Sequence, residues 1–143
     1  NDPYVEVRKK YHAKKVSLDE LLKKSKYIIL TCCLTKETEK ILDNDQFKLM
    51  RNDVVIINVS RGQLINESVL IKYLSNKKIK GACLDVFETE PINTNNPLLK
   101  MDNVLLTPHN ASKSYKSSEL QCNMALEEII RIATGKKPKY QVN

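Results

Sequence analysis

The chain has 143 residues, 24 Lys and Arg against 17 Asp and Glu, a formal net charge of +7 and no tryptophan. That length suits about one domain with its own core, and no run approaches the roughly 20 apolar residues needed to span a bilayer. The lysines are scattered in ones and twos (Lys9 and Lys10, Lys14 and Lys15, Lys23 and Lys24, Lys77 and Lys78, Lys136 and Lys137), with no interleaved aromatics, which reads as a solvated surface rather than a nucleic-acid site.

The chain opens at Asn1-Asp2-Pro3-Tyr4, polar, without a methionine, and at a turn-like dipeptide. This is no secretory leader; it reads as a piece of a longer, soluble, cytoplasmic protein. A helix is expected from Ser17 to Lys24 with Ser17 as N-cap, then a strand from Tyr27 to Cys32. A helix from Asn44 to Met50 and a strand from Val54 to Asn58 follow. Next come a helix from Glu67 to Asn76 capped by Asn66, and strands from Lys80 to Asp85 and from Asn103 to Thr107. A long helix from about Ser117 to Ala133, closed by Gly135, ends the series.

The strand candidates are apolar nearly throughout, as strands covered on both faces are. Alternation of such strands with helices implies an α/β, doubly wound parallel sheet. Cys32, Cys33, Cys83 and Cys122 lie in apolar segments without metal-ligand spacing, so they are expected to be reduced, buried thiols.

In such sheets the ligand crevice lies beyond the C-terminal ends of the strands. The segments there are Asn58-Val59-Ser60-Arg61-Gly62, then Asp85-Val86-Phe87-Glu88-Thr89-Glu90-Pro91, then Thr107-Pro108-His109-Asn110-Ala111-Ser112. Singly, Arg61 can satisfy strand-end carbonyls, Glu90 can be a solvated loop acid and His109 a turn residue. Together, three independent loops deliver an arginine, carboxylates and a histidine to one edge. A carboxylate stabilises the protonated form of a histidine acid/base, and a guanidinium fork suits a carboxylate substrate. The combination describes redox chemistry at a carbon beside a carboxylate.

These three segments, in this order, resemble the motif set of the D-isomer-specific 2-hydroxyacid dehydrogenases, the family that includes D-3-phosphoglycerate dehydrogenase. Leu34-Thr35-Lys36-Glu37-Thr38 and Asn96-Pro97-Leu98-Leu99 resemble its flanking motifs. The likeness runs from Asp2 to the closing Val142-Asn143 and implies the C-terminal part of a Rossmann-like NAD-binding domain, with residues 136–143 leading back toward a substrate domain. The first βαβ unit and that substrate domain would be missing; the chain has only Gly62, Gly81 and Gly135, and none forms the phosphate-binding glycine fingerprint.

By this resemblance Arg61 holds the substrate carboxylate and 2-oxo group, Glu90 partners the histidine, and His109 is the acid/base. Asp85 contacts the nicotinamide carboxamide. Val59, Ser60 and Arg61, with His109, Asn110, Ala111 and Ser112, are further cofactor contacts, and Cys32 passes the adenosine. Asp2 matches the acid on the ribose hydroxyls, which favours NAD over NADP. The implied activity is NAD-dependent oxidation of a D-2-hydroxy acid, most like D-3-phosphoglycerate dehydrogenase and hence serine biosynthesis. Hydroxypyruvate or glyoxylate reduction is the alternative within the family, and an NAD(H)-sensing corepressor-like binder the alternative from another class.

Cys33 stands where the family usually has proline, Thr31 where it often has histidine, Asn66 where it has aspartate, and Asn110-Ala111-Ser112 where phosphoglycerate dehydrogenases have Leu-Gly-Ala. The partners implied are a small 2-hydroxy or 2-oxo acid, the missing N-terminal half of the same protein, and a second copy in a homodimer, with no nucleic acid and no membrane. Without the N-terminal half the sheet is expected to bare an edge and an apolar face, and the chain alone to be inactive. Leu120, Met124, Ile129 and Ile132 of the last helix are expected to pack into a core.

Overall fold

The computed structural model describes residues 1–5 and 13–141. Lys9, Lys10 and the closing Val142-Asn143 lie outside the described residues. The chain divides into two compact units, Asn1–His109 and Asn110–Asn143.

In the first unit the elements run α1 (Leu18–Lys24), β1 (Tyr27–Leu30), α2 (Asn44–Leu49), β2 (Val55–Asn58), α3 (Glu67–Ser75), β3 (Gly81–Leu84) and β4 (Val104–Leu106). Short 3-10 turns lie at Gly62–Leu64 and Pro97–Lys100. The helices begin where side chains satisfy their free amides: Ser17 Oγ accepts from Glu20 N–H, and Asn66 accepts from Val69 N–H. Asp43 and Gln46 form a capping box on α2. The helix and strand positions match the sequence expectation to within a residue or two; strands are shorter because their outermost residues already belong to the strand-end turns.

All strand pairs are parallel, in the order β1-β2-β3-β4. This is the partial Rossmann-like α/β architecture expected. Leu30 pairs with Asn58, Asn58 with Leu84, and Leu84 with Leu106. The strands therefore end in one row, and the loops that follow leave the sheet side by side.

One side of the sheet carries the core. Ile28, Leu30, Ile56, Ala82 and Leu84 cluster with Leu22 of α1, Phe47 of α2, and Leu70, Tyr73 and Leu74 of α3. The Phe47 and Tyr73 rings lie 4.9 Å apart. The other side differs from the expectation of strands covered on both faces. Ile29 is 58% exposed and Leu105 63%, in the row they share with Ile57 and Cys83. An alternating burial pattern within apolar strands is thus the mark of a face this unit leaves bare.

The cysteines correct a second expectation. Cys32, Cys33 and Cys122 are exposed and Cys83 is half-buried; all are free thiols. Cys32 and Cys33 lie past the end of β1, and Cys83 points to the open side of the sheet.

The second unit holds one long helix, α4 (Tyr115–Ala133), which starts earlier than expected because Ser114 caps it by accepting from Ser117 N–H. Gly135, at φ +72°, closes it. The tail folds back on the helix end: Lys139 N–H donates to Glu128, and Arg131 donates to the Lys137 carbonyl. No α4 residue is buried, contrary to the core packing expected of Leu120, Met124, Ile129 and Ile132. Among the described residues no helix is long and apolar enough to cross a membrane, and no metal-ligating cluster is found.

Candidate active site

The strand ends are tied together beyond the last ladder pairs. Ser60 Oγ donates to the Cys32 carbonyl, Asp85 N–H to the Asn58 carbonyl at 3.0 Å, and His109 N–H to the Asp85 carbonyl at 2.9 Å. These bonds bring the loops after β2, β3 and β4 to one edge.

A cavity of about 480 Å³ opens there, lined by Arg61, Gly62 and Gln63 on one side, by Phe87 to Glu90 on the other, and by His109. This falls within the usual size range of small-molecule sites. The three residues the sequence singled out for catalysis, Arg61, Glu90 and His109, all line it.

His109 Nδ1 and Glu90 Oε2 are 2.8 Å apart, and Glu90 Oε1 accepts the Phe87 N–H at 3.0 Å. The hydrogen bond with His109 is the main cause that lowers the Glu90 pKa below its ordinary 4.5; burial opposes it, and the Phe87 N–H and the charges of His109 and Arg61 assist. Glu90 is thus held as a carboxylate. His109 sits at φ +50°, in the left-handed region that a non-glycine residue enters at a cost, with its N–H fixed by the Asp85 and Thr107 carbonyls.

Arg61 Nη1 donates to the Ser60 carbonyl at 2.7 Å, which folds the guanidinium over its own turn. Asp85 is 4% exposed and accepts from the Thr107 hydroxyl. Val59, 42% exposed, follows the last residue of β2. Asp2 Oδ1 accepts the N–H groups of Tyr4 and Val5, and the Tyr4 hydroxyl bonds Glu37 at 2.6 Å, which ties this segment to the loop after β1. Asn110, Ala111 and Ser112 belong to the second unit, where they form the turn before the Ser114 cap.

The sequence reading assigned no role to Asn58. It is 1% exposed, and its side chain spans the turn: Nδ2 donates to the Arg61 carbonyl at 2.9 Å and Oδ1 accepts the Ser60 N–H at 3.1 Å. An asparagine ending a run of Val and Ile was the available signal. Gly62 lies under the neighbouring loop, where a Cβ would stand 1.9 Å from the Phe87 carbonyl carbon. Only glycine permits that approach.

The model of the D-isomer specific 2-hydroxyacid dehydrogenase NAD binding domain matches residues 1–111. The chain belongs to that family. It is 38% identical to a glyoxylate reductase of Korarchaeum cryptofilum over 90% of this chain and 39% of that protein. To a glyoxylate reductase of Pyrococcus horikoshii it is 36% identical over 96% of this chain and 41% of the other. The chain thus spans about two fifths of these relatives.

Among solved structures, an acyclic imino acid reductase in complex with NADPH and D-arginine superposes with a TM-score of 0.87 at 34% identity, covering 97% of this chain and 43% of the other. A D-lactate dehydrogenase from Treponema pallidum reaches 0.88 at 26% identity, covering 99% and 47%.

The 2-hydroxyacid dehydrogenase domain is one that binds NAD, and the residues of this chain fit one flank of such a dinucleotide. An exposed Val59 offers an apolar surface, and the buried Asp85 an acceptor held in place by Thr107. The glycine-rich pyrophosphate turn is not among the residues of this sequence.

Proposed function

We propose that residues 1–143 form the C-terminal portion of the NAD-binding domain of an NAD-dependent oxidoreductase that acts on the CH–OH group of a D-2-hydroxy acid. The observation that carries this reading is the 2.8 Å contact between His109 and Glu90 in a cavity shared with Arg61. In it, His109 Nε2 takes the proton from the 2-hydroxyl during oxidation and returns it to the carbonyl oxygen during reduction. Glu90, ionised, orients the ring through Nδ1 and stabilises the imidazolium. Arg61 binds the substrate carboxylate and polarises the 2-oxo group. A bound nicotinamide supplies the hydride acceptor or donor.

In the same reading Asp85 receives the carboxamide, and Val59, Ser60, Asn110, Ala111 and Ser112 line the cofactor. Cys32 lies along the adenosine. Asp2 accepts the ribose hydroxyls and favours NAD, because a 2′-phosphate would meet a carboxylate.

The names of the relatives support glyoxylate ahead of 3-phosphoglycerate, and hydroxypyruvate stays beside it as the alternative within the family. The rest of the cleft is assigned to an N-terminal half of the same cytoplasmic protein, with residues 136–143 leading toward it. The bare sheet row of Ile29 and Leu105 supports a covering segment, and the exposed Leu126, Ile129 and Ile130 of α4 support a homodimer. The test is NADH oxidation by the full-length protein with a panel of 2-oxo acids, beside light scattering for subunit number. Failure to oxidise NADH with any of them, while NADH binds, rejects the enzyme in favour of a nicotinamide-sensing binder.

A further inference from the structure

Glu67 begins α3 and does not line the cavity. Both of its carboxylate oxygens are nonetheless engaged by the loops around it. Oε2 accepts the backbone N–H of Glu88 at 3.1 Å, and Oε1 accepts Nδ2 of Asn96 at 2.7 Å. From the other side Gln63 Nε2 donates to the carbonyl of the same Glu88 at 3.0 Å. The N–H and C=O of one loop residue are thereby held by two side chains from the segment that follows Arg61. Gly62, in that same segment, has the Phe87–Glu88 backbone directly against it.

The loop so gripped is the one from which Glu90 reaches His109. The Glu90 carboxylate hangs on the Phe87 N–H, so a shift of the Phe87–Glu88 backbone moves the carboxylate itself. An acid in the first turn of a helix is ordinarily explained by the helix dipole. Here the carboxylate bonds to two other segments, through charge-assisted contacts stronger than neutral ones.

We infer that Glu67 is a positioning residue for the acid/base pair: by clamping Glu88 it fixes the loop bearing Glu90 against the turn bearing Arg61. This rests on the roles given above to Arg61, Glu90 and His109. Misplacement of reacting groups by about 1 Å can cost on the order of 100-fold in rate, so a residue outside the cavity can govern turnover.

The test compares wild type, Glu67→Ala and Glu67→Gln in the full-length protein, by hydrogen-exchange mass spectrometry and by steady-state kinetics with NADH and the best 2-oxo acid. Glu67→Ala is expected to speed exchange in the peptide containing Phe87 to Glu90, leave peptides of β1 unchanged, and lower kcat by about 10- to 100-fold with NADH affinity intact. Glu67→Gln, which keeps one acceptor oxygen for the Glu88 N–H, should recover most of both.

Unchanged exchange in Glu67→Ala overturns the inference. So does faster exchange with unchanged kcat, or a kcat loss that Gln does not recover and that follows only a lower melting temperature. Wild type that turns over no 2-oxo acid sinks the functional reading and the positioning role with it, while the exchange result still decides whether Glu67 holds the loop.

Discussion

Glu90 meets His109 Nδ1 through one carboxylate oxygen, at 2.8 Å, and holds the Phe87 N–H through the other, at 3.0 Å. Both oxygens are therefore used, one on the His109 ring and one to shape the loop that presents the carboxylate. Glu90→Gln keeps the size but loses the charge that favours imidazolium. Its kcat/KM should fall, by less than the roughly 100- to 10,000-fold loss of a general acid/base. Steady-state rates of the two variants, Glu90→Gln and His109→Gln, check that ranking.

The same pair sets a pH dependence whose sign is fixed by the direction of the Glu90 shift. A carboxyl held below its ordinary 4.5 when folded stabilises the fold at pH above its unfolded value, and that contribution is lost as pH falls through the folded value. The melting-temperature gap between wild type and Glu90→Gln should close as pH falls below about 4.5. Both side chains are more than a third exposed, so the gap is small. A gap that widens in acid contradicts the assignment.

Asn58 gives a larger effect. Asn58→Leu removes the acceptor of the Ser60 N–H and one of the two donors to the Arg61 carbonyl, which keeps the Leu64 N–H. A buried polar group left unsatisfied costs about 1–3 kcal/mol, and the loss here should lie near the lower end because these groups are only part-buried. Because the turn it braces carries Arg61, KM for the 2-oxo acid should rise more than KM for NADH. Denaturant unfolding and the two KM values measure these.

Gly62→Ala forces a Cβ into the Phe87 carbonyl group. Backbone must move, and the destabilisation should be about 3 kcal/mol or more, at the upper end of overpacking effects. Thermal unfolding that shows no loss would mean that the two loops are not in contact.

Most of this fold can be read from residue order, because apolar runs such as Val54 to Ile57 and caps such as Ser17 and Asn66 act locally. The meeting of Arg61, Glu90 and His109 at one cavity was legible for a related reason: parallel strands that end in register place the residues after each strand together whatever lies between them. Burial was not legible. Ile29 and Cys83 are as apolar as Ile28 and Leu84, and which face is covered depends on segments other than their own. Asn58, Gln63 and Glu67 were not legible either: they bond backbone atoms of the loops after β2 and β3, and a polar residue in a turn or first helical turn has the same appearance whether it bonds solvent or a distant peptide group.

The exposed row carries its own expectation. Produced alone, this chain should self-associate through Tyr27, Ile29 and Leu105, since contiguous bare apolar surface drives aggregation. Ile29→Thr with Leu105→Thr should keep more of the isolated chain monomeric in sedimentation, and lower the melting temperature of the full-length protein. An isolated wild-type chain that stays monomeric would show that this face needs no cover.

The most direct measurement follows NADH absorbance as the full-length protein and its His109→Gln variant meet glyoxylate, hydroxypyruvate and phosphohydroxypyruvate, with NADH binding read by fluorescence. Wild type should oxidise NADH with at least one of them, and His109→Gln should bind NADH equally while losing about 100-fold or more in kcat. Equal turnover by the two proteins would contradict the role given to His109, and NADH binding without turnover in wild type would contradict the dehydrogenase itself.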